Sequence, residues 1–445
     1  MHKTITLKAP PSKSVSHRAL LAAGLAGGTS VLENVLVSED ILRTRDCLAA
    51  LGAKFSGDDS APVVQGLGGR IKAPSLDPVK LDVGESGTTC RLLAAIVSAG
   101  QGSFEISGAG RMHERPIKSL GQSLEGQGVR FKYLGLDGCP PVRIESSGLP
   151  GGVVTVGLDE SSQYLSGILL ASTMATTSLV INIGGKKVVS WPYVHLTLQT
   201  MQRFGNPARL QTLQEGHWRH ADPDQVQRVE PGKIRFVVHP GVLNPVRYRV
   251  EGDYSNASYL LAAGAVGEFP VEVSGLDLES RQGDRRILEI LELMGAKISE
   301  TKNGVMVSPA RLHGVDLDMG TCPDLVPTVA VVASMATGTT RISNVAHLRI
   351  KESDRLAGVQ QEVSRAGCRC GLKEDGLEIE PAELLRGSQV QFKTYGDHRM
   401  AMSLSLYELA GIQTALDNPA CVNKSFPGFW EEWENIRRAY AGKGD

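Results

Sequence analysis

Six short polar clusters recur along this chain, and each stands immediately before an apolar run. Many of their side chains are of the kinds that bind phosphate and carboxylate groups: hydroxyls, amides and, in three clusters, an arginine. The clusters cover residues 14–18, 87–91, 161–164, 255–258, 322–325 and 397–400. Backbone N–H groups at the start of a helix are unpaired and carry partial positive charge, so several helix starts aimed at one point would bind an anion. The pattern therefore predicts a site for anionic small molecules.

The individual clusters differ in what they offer an anion. Ser14 and Arg18 are one helical turn apart, next to a lysine. Gly87 lets a ligand approach the backbone closely, because it has no side chain to block the way. Residues 161–163 supply neutral donors, and Arg399 supplies a guanidinium. Any one cluster also fits an ordinary helix N-cap, where Ser, Thr and Asp are favoured. Six together favour the anion-binding interpretation.

Three further segments are rich in charge, at residues 111–116, 351–355 and 423–430. Lys351 and Arg355 are four positions apart, so they share a helix face if the helix has begun there. The alternative is a solvated, charged helix start. Pro116 fits a first helical turn, with the same alternative open. The last segment could equally be a hydrophobic clasp for the final helix, in which case Lys424 would be incidental.

The apolar runs belong to a repeated unit. Each cluster leads into an Ala-, Leu- and Val-rich run and a β-branched strand, and then into a charged amphipathic helix. The clearest amphipathic helices stop at Gly52, Gly295 and Gly367, where glycine accepts the left-handed conformation of a helix end. The apolar helix is expected inside and the amphipathic one outside. Starts recur roughly every 70 to 90 residues, which fits a compact α/β unit and is too long for a solenoid turn.

The best boundary along the chain is the turn-rich stretch 240–249, which follows an irregular region. Three clusters precede it and three follow, so the sequence predicts two similar lobes. They are residues 13–248, and residues 249–445 completed by an N-terminal strand in residues 1–12. If the interior helices of each lobe run parallel, their N-terminal ends face the gap between the lobes. That cleft would be positive whatever the net charge.

Composition excludes several classes of protein. The chain has 445 residues with 41% hydrophobic and 5% aromatic residues, 50 glycines and a formal net charge of −1, which is typical of a globular α/β protein. It has no block of like charges, so nucleic acid and acidic membranes are not expected partners. No apolar run reaches transmembrane length, and the N-terminus does not resemble a secretion signal. The seven scattered cysteines indicate reduced thiols and a cytoplasmic location.

Taken in order, these motifs resemble those of the 5-enolpyruvylshikimate-3-phosphate (EPSP) synthase family of enolpyruvyl transferases, over essentially the whole chain. The segments that carry the resemblance are residues 13–18, 87–91, 111–116, 161–163, 351–356, 397–402 and 424–427. The resemblance implies two lobes, each of three βαβαββ units with parallel buried helices, an inside-out α/β barrel. This agrees with the count of three clusters on each side of the boundary.

The reaction implied by the resemblance transfers the enolpyruvyl group of phosphoenolpyruvate to the 5-hydroxyl of shikimate 3-phosphate and releases phosphate. It proceeds by addition and then elimination through a tetrahedral intermediate, on the pathway to chorismate and the aromatic amino acids. No metal or organic cofactor is expected, because both substrates bring their own functional groups. The expected form is a cytoplasmic monomer whose partners are these two small molecules and the inhibitor glyphosate.

The resemblance also assigns residues, motif by motif. Shikimate 3-phosphate would be bound by Lys13, Ser14, Arg18, Ser161, Ser162, Gln163, Ser190, Tyr193, Asp324, His347 and Lys351. Phosphoenolpyruvate would be bound by Lys13, Gly87, Thr88, Arg115, Gln163, Arg355, Arg399 and Lys424. The planar fork of arginine suits carboxylate and phosphate in two-point contact.

The catalytic residues implied by the resemblance are Asp324, Glu352 and Lys13. Asp324 would accept the proton of the 5-hydroxyl, and Lys351 would steady that oxygen. The proton for the methylene carbon would come from Glu352 or from Lys13, and the sequence leaves both open. A carboxylate among this many cations is ionised at rest, so Glu352 acts as an acid only if burial or closure raises its pKa.

Some positions depart from the commonest bacterial pattern. Glu85 and Ser86 precede Gly87 where Asn-Ala is common, and His347 falls where an asparagine often contacts shikimate 3-phosphate. Gly87 itself is kept. No methyl group therefore intrudes on the site of glyphosate, a phosphonate mimic of phosphoenolpyruvate, and inhibition by glyphosate is expected.

Two alternatives remain at this stage. The first is the sister enolpyruvyl transferase that acts on UDP-N-acetylglucosamine. Its usual members carry a cysteine in a mobile loop near residues 111–116, where this chain has Met112-His113-Glu114. The second is a non-catalytic, two-lobed anion-binding protein, against which the set Lys13, Asp324, Glu352 and Lys424 argues.

Overall fold

The computed structural model describes residues 4–226 and 229–441. The chain forms two compact units: the first unit is Lys13–Val250, and the second unit is Met1–Ser12 together with Glu251–Asp445. The sequence placed its boundary between residues 248 and 249, which falls inside the strand Arg247–Arg249. That strand pairs with Thr29–Glu33 of the first unit. Residues 1–3 and 442–445 of the predicted second lobe lie outside the described residues.

The α-helices of the described residues, numbered in chain order, are α1 Lys13–Leu25, α2 Glu39–Ala50, α3 Gly87–Ser98, α4 Lys118–Glu125, α5 Gln163–Ser172, α6 Pro192–Arg203, α7 Tyr254–Val266, α8 Ile287–Leu293, α9 Val326–Ser334, α10 Arg355–Arg365, α11 His398–Leu404 and α12 Phe429–Ala441. Short 3-10 helices cover Gly110–Glu114, Pro223–Gln225, Gly283–Arg286, Pro323–Leu325, Ala346–Ile350, Ser405–Ala410 and Pro419–Lys424. The six predicted helix starts fall at α1, α3, α5, α7, the turn before α9, and α11.

The strands of the described residues are β1 Ile5–Lys8, β2 Thr29–Glu33, β3 Lys54–Asp58, β4 Ala61–Gln65, β5 Val79–Asp82, β6 Gln101–Ser107, β7 Arg130–Tyr133, β8 Val142–Ser147, β9 Gly152–Leu158, β10 Leu179–Val188, β11 Arg209–Gln214, β12 His217–His220, β13 Ile234–Val238, β14 Arg247–Arg249, β15 Val271–Ser274, β16 Lys297–Glu300, β17 Gly304–Ser308, β18 Asp316–Asp318, β19 Thr340–Ser343, β20 Arg369–Leu372, β21 Leu377–Glu380, β22 Gln389–Phe392 and β23 Gln413–Leu416.

The described residues of the first unit form three sheets of similar design. Their strand orders are β14-β2-β4-β3, β5-β6-β8-β7 and β12-β11-β13-β10-β9. In each sheet one parallel pair is extended by antiparallel strands. The parallel pair β5–β6 is connected through the buried helix α3, as a parallel connection requires a crossover. The order β5-α3-β6-α4-β7-β8 is one βαβαββ repeat.

The second unit repeats this design with one exception. Its strand orders are β1-β15-β17-β16, β18-β19-β21-β20 and β22-β23. Strand β1, at the start of the chain, pairs in parallel with β15, residue Ile5 opposite Val271. In the last repeat the described residues form only the parallel pair β22–β23, and the chain continues into α12 in place of an antiparallel hairpin.

The helices that begin at the polar clusters are buried on all sides. Every residue of α7 from Tyr254 to Ala265 is buried, and Asp253 caps its first turn by accepting a hydrogen bond from the Asn256 N–H. Complete burial of a leucine such as Leu260 contributes about 1.5–3 kcal/mol. These helices form inside because they are apolar all round, whereas α10 and α12 have one polar face and lie outside.

Small residues let the buried helices pack closely and in one direction. Gln163 at the start of α5 donates to the Thr88 hydroxyl near the start of α3 at 2.9 Å. About one turn later, a Cβ added to Gly167 of α5 would lie 2.8 Å from the Cβ of Ala95 of α3. The two helices therefore run parallel, with their N-terminal ends together.

Each unit has its own hydrophobic core. All seven cysteines are free thiols, and six of them are buried. Among residues 4–226 and 229–441, no helix combines the length and the apolar character needed to span a bilayer.

Candidate functional site

Hydrogen bonds join the three helix starts of the first unit. Gln163 of α5 binds Thr88 of α3, as described above, and Arg18 of α1 donates to the Ser166 hydroxyl of α5 at 3.4 Å. Lys13 at the start of α1 forms an ion pair with Asp40 of α2 at 3.0 Å. The N-terminal ends of α1, α3 and α5 are therefore close together, and with them the predicted ligands of both substrates in this unit.

Arg18 is a buried cation held by uncharged oxygens. Its guanidinium donates to the Thr197 hydroxyl at 2.7 Å, the Ser14 carbonyl at 2.8 Å and the Tyr193 carbonyl at 2.9 Å, besides Ser166. Only 1% of the residue is exposed. Burial lowers the pKa of Arg18 to about 10. An anion next to this group would supply the negative charge that its hydrogen-bond partners lack.

Gly87 and Arg115 lie in direct contact. A Cβ added to Gly87 would lie 2.4 Å from Nη2 and 2.6 Å from Cζ of Arg115. Arg115 is buried, and it donates to the Glu85 carbonyl at 3.2 Å. The glycine at the start of α3 is therefore what allows this guanidinium to lie against the helix end.

The remaining predicted ligands of the first unit flank α5 and α6. The Ser161 hydroxyl accepts a hydrogen bond from the Gln163 N–H at 3.2 Å, and Ser162 is buried beside it. Ser190 has φ +55°, a left-handed conformation that is rare outside glycine. Its carbonyl accepts from the Tyr193 N–H at 3.2 Å at the entry to α6. The strained turn at Ser190 leads into α6, where the Tyr193 carbonyl accepts a hydrogen bond from the Arg18 guanidinium.

In the second unit one guanidinium is surrounded by carboxylates. Arg355 donates from Nε to Asp397 at 2.7 Å, from Nη1 to Asp324 at 2.9 Å, and from Nη2 to Glu352 at 2.7 Å and to the second Asp397 oxygen at 3.3 Å. Ser353 also donates to Asp397, at 3.0 Å. Asp397 caps α11 as well, since it accepts from the Arg399 N–H.

Asp324 joins the two predicted arginines of this unit. Its Oδ2 accepts from Arg399 at 2.8 Å while its Oδ1 accepts from Arg355, and Arg399 also donates to the hydroxyl of Ser255 at the start of α7. Burial alone would raise the pKa of Asp324, but the charges of Arg399, Arg355 and Lys351 outweigh it and hold that pKa well below its usual range. The starts of α7, α9 and α11 therefore meet at one charged cluster.

The other predicted residues of the second unit lie in segments without regular α-helix. His347 is buried in the 3-10 helix Ala346–Ile350, and Lys424 is buried at the end of Pro419–Lys424. Helix α10 begins only at Arg355, with Asp354 as its N-cap, so Lys351 does not share a helical turn with Arg355. Pro116 likewise precedes α4, which begins at Lys118. Lys351 and Pro116 therefore both lie before the first residue of the helix that follows them.

Sequence reasoning missed the partners that hold these ligands. Arg91 is buried and donates to the Gln163 amide oxygen at 3.0 Å, with its guanidinium carbon 5.9 Å from the Tyr164 ring centre. Asp40 holds Lys13, and Asp397 holds Arg355. Each was visible as a polar residue at a helix start, but nothing in the sequence paired it with a partner up to 72 residues away.

Comparison with known proteins agrees with this geometry. The family model described as EPSP synthase (3-phosphoshikimate 1-carboxyvinyltransferase) matches residues 3–433. The chain belongs to the EPSP synthase family. The predicted family is thus confirmed, rather than the sister family that acts on UDP-N-acetylglucosamine.

Individual relatives match over nearly the whole chain. Proteins named 3-phosphoshikimate 1-carboxyvinyltransferase from Shewanella amazonensis and Vibrio cholerae are each 37% identical over 96% of this chain, and the matches cover 95% and 96% of those proteins. The corresponding protein of Psychromonas ingrahamii is 38% identical over 96% of this chain and 95% of its own length.

Solved structures confirm the predicted fold class. EPSP synthase from Acinetobacter baumannii superposes with a TM-score of 0.74 at 25% identity, over 97% of this chain and 95% of that one. The enolpyruvyl transferase NikO from Streptomyces tendae gives a TM-score of 0.67 at 17% identity, over 97% of this chain and 94% of that one, and supports the fold alone. The chain therefore has the α/β fold of the EPSP synthases, with βαβαββ repeats and parallel buried helices.

Proposed function

We propose that this chain transfers the enolpyruvyl group of phosphoenolpyruvate to the 5-hydroxyl of shikimate 3-phosphate and releases phosphate. The observation that carries the proposal is the EPSP synthase family match over residues 3–433. Enzymes of this family act on these two small molecules as 3-phosphoshikimate 1-carboxyvinyltransferases. The buried cations at the helix starts of both units suit the phosphate and carboxylate groups of these substrates.

Shikimate 3-phosphate would bind at the helix starts of the first unit. Its phosphate would meet the hydroxyls of Ser161 and Ser162 and the guanidinium of Arg18, whose neighbours are neutral oxygens. Gln163, already held by Arg91, would contact the ring. The other ligands proposed for this substrate are Lys13, Ser14, Ser190, Tyr193, Asp324, His347 and Lys351. Uncompensated positive charge beside hydroxyl donors is what supports this assignment.

Phosphoenolpyruvate would bind to Arg115 in the first unit and to Arg355 and Arg399 in the second. All three are buried guanidiniums, and a guanidinium binds carboxylate or phosphate in two-point contact. The other proposed ligands are Lys13, Gly87, Thr88, Gln163 and Lys424. The contact between Gly87 and Arg115 supports placing this substrate at the start of α3.

The addition step needs two proton transfers, and the elimination step needs the loss of a proton from C3. The 5-hydroxyl oxygen bonds to C2 of phosphoenolpyruvate, and its proton goes to Asp324. A proton from Glu352 or Lys13 goes to C3, which completes the tetrahedral intermediate. In the elimination, C3 returns a proton to the group that supplied it, the C2–O bond to phosphate breaks, and phosphate leaves with the electron pair and takes up the proton that Asp324 accepted. Lys351, whose charge acts on Asp324, would steady the attacking oxygen.

The direct test is phosphate release from phosphoenolpyruvate with and without shikimate 3-phosphate. Release that depends on both substrates is expected. Asp324→Asn should lower kcat by about 10²–10⁴-fold, the usual contribution of a general acid or base, and so should Glu352→Gln if Glu352 is the acid. Glu374→Gln, at an exposed position of the second unit, is the matched control and should leave kcat unchanged. Release without shikimate 3-phosphate, or full activity in both variants, would contradict the proposal.

A second measurement separates the two candidate acids. Reversible addition exchanges the C3 protons of phosphoenolpyruvate with solvent, so deuterium should enter C3 when shikimate 3-phosphate is present. If Glu352 is the acid, Glu352→Gln abolishes this exchange and Lys13→Arg retains it. If Lys13 is the acid, the pattern reverses.

Inhibition by glyphosate and a monomeric state belong to the same proposal. Because Gly87 leaves Arg115 in place, glyphosate is expected to inhibit the enzyme, and full activity at millimolar glyphosate would contradict this.

If the protein is a monomer, light scattering should give a mass near 47.6 kDa. A cytoplasmic location stays a prediction.

A further inference from the structure

Asp324 occupies the position of a bound anion in the second unit. Its two oxygens are shared between two guanidiniums, Oδ1 with Arg355 at 2.9 Å and Oδ2 with Arg399 at 2.8 Å. A substrate carboxylate or phosphate that bridges the same two arginines would compete with Asp324 for their donors. The side chain therefore stands where the proposed ligand of these arginines would bind.

Arg355 has too few remaining donors to bind a second anion. A guanidinium has five N–H groups. Four hydrogen bonds from Arg355 already go to the carboxylates of Asp397, Asp324 and Glu352. Two-point contact with a substrate therefore requires that Asp324 or Glu352 gives up its hydrogen bond.

The three carboxylates differ in how firmly they are held. The side chain of Asp397 is fully buried, caps α11 and binds Ser353, so it is part of the framework. The side chains of Asp324 and Glu352 are 20% and 12% exposed. Asp324 belongs to the short 3-10 turn Pro323–Leu325, and Glu352 lies ahead of α10. Asp324 and Glu352 can therefore move away from Arg355 without disrupting an α-helix.

We propose that Asp324, with Glu352, is an internal competitor that occupies Arg355 and Arg399 until the anionic group of phosphoenolpyruvate displaces it. The inference rests on the proposed function, because that function sends phosphoenolpyruvate to these arginines. The ion pairs reduce the fraction of the protein that can bind the anion, and the observed affinity falls by that fraction.

Displacement also prepares Asp324 for its role as a base. A carboxylate that two guanidiniums hold well below its usual pKa is a weak proton acceptor. When the substrate anion neutralises Arg355 and Arg399, the pKa of Asp324 rises toward its ordinary value. Binding of phosphoenolpyruvate therefore makes the base stronger at the time that the 5-hydroxyl must lose its proton.

The test is the affinity of the full-length chain for phosphoenolpyruvate and for inorganic phosphate, measured by titration calorimetry at low ionic strength. Asp324→Asn should bind both anions more tightly, by about 5- to 150-fold, the usual range of a coupling between two equilibria. The same variant should lose turnover. An affinity that is unchanged or weaker in Asp324→Asn would overturn the inference, since a residue that only transfers protons does not compete for the anion.

Two controls separate competition from a general change in charge. Asp316→Asn removes the same charge from an exposed position of the same unit and should leave both affinities unchanged. Asp397→Asn removes a carboxylate that positions Arg355, and it should weaken anion binding. Equal tightening in Asp316→Asn or Asp397→Asn would overturn the inference.

Two further measurements keep the result interpretable. If Asp324→Asn does not fold, Glu352→Gln provides the same test, and it should tighten anion binding less than about fivefold because it leaves the hydrogen bonds of Asp324 to both arginines in place. No tightening in Glu352→Gln would then overturn the inference. Phosphate release by the unaltered chain is measured separately. If the unaltered chain releases no phosphate, the proposed function is wrong, but the affinities still show whether Asp324 competes with anions for the two arginines.

Discussion

The two units place three helix starts together in the same way, but they treat their buried arginines differently. In the first unit Arg18 donates to four uncharged oxygens. In the second unit Arg355 donates to three carboxylates, one of which also pairs with Arg399. The positive charge of Arg18 is left for a ligand to neutralise. The charges of Arg355 and Arg399 are already neutralised by carboxylates of their own unit. Similar backbones therefore produce one site ready for an anion and one that must first release its own.

The largest difference should appear when each central arginine is removed. Arg355→Leu removes the cation shared by three carboxylates, one of them fully buried, and should lower the free energy of unfolding by about 3–5 kcal/mol. Arg18→Leu leaves only neutral acceptors and should lower it by about 1–3 kcal/mol. Urea unfolding of both variants measures the difference. An equal or larger loss in Arg18→Leu would remove the distinction between the units.

A methyl group at the start of α3 should disrupt the first unit's cluster without unfolding it. In Gly87→Ala the new Cβ displaces the Arg115 guanidinium, which lies 2.4 Å from its position, and kcat/KM for phosphoenolpyruvate should fall about 10²-fold. The KM for shikimate 3-phosphate should change little. Steady-state kinetics checks this. Gly126→Ala is the matched control, because a Cβ there would meet nothing within 4 Å. Equal losses in both variants would contradict the role of the contact.

Acid should lower the free energy of unfolding through His17 of the first unit at a higher pH than it does through Asp324 of the second unit. His17 is buried on α1 beside Thr44, and burial first, then the charges of Lys13 and Arg18, lower its pKa well below 6.5. A depressed pKa means that the unfolded chain binds the proton more tightly. The contribution of His17 is therefore complete above about pH 6.5 and is lost below it, by up to about 1.4 kcal/mol per pH unit.

The contribution of Asp324 has the same sign, but it is lost only below the usual carboxyl range of about pH 3.9. Unfolding by urea between pH 7.5 and 5 should therefore show a shallower slope for His17→Asn than for the unaltered chain. His113→Asn, at an exposed position, is the control. Identical slopes for all three proteins would show that the pKa of His17 is the same in the folded and the unfolded chain, which would contradict this account.

The smallest effect concerns backbone strain. Ser190→Gly relieves a left-handed conformation at φ +55° and should raise the free energy of unfolding by about 1 kcal/mol. Ser190→Ala keeps the strain and loses only the hydroxyl. In the second unit Tyr395 has φ 56°, but its hydroxyl donates to Glu362 at 2.7 Å, so Tyr395→Gly should lower stability. Thermal unfolding compares the three, and stabilisation by Tyr395→Gly would contradict this account.

Local signals made the helix starts and the family predictable. A capping residue followed by an apolar run specifies where α3 and α7 begin, because both features lie within a few residues of each other. The same local signals also allowed a helix to begin before Arg355 and at Pro116, but these helices begin later, at Arg355 and Lys118. Tertiary contacts, such as those of Arg355, decide which residue of a polar segment enters the helix.

Ion pairing at the site could not be predicted. Arg355 meets Glu352 three residues away, but it meets Asp324 and Asp397 across 31 and 42 residues. Several acids in the neighbourhood would satisfy the same rule of opposite charge. The choice among them depends on how the helix starts are brought together by the sheets.

By itself, the sequence determined the number of repeats, the polar clusters, the family and the residues that could bind two anions. Only the tertiary structure decided that Arg18 has neutral neighbours while Arg355 and Arg399 are occupied by acids of the same unit. The physical reason is range. Capping and apolar periodicity act over a single turn of helix, whereas the charge felt by a buried guanidinium depends on side chains that folding brings from distant parts of the chain.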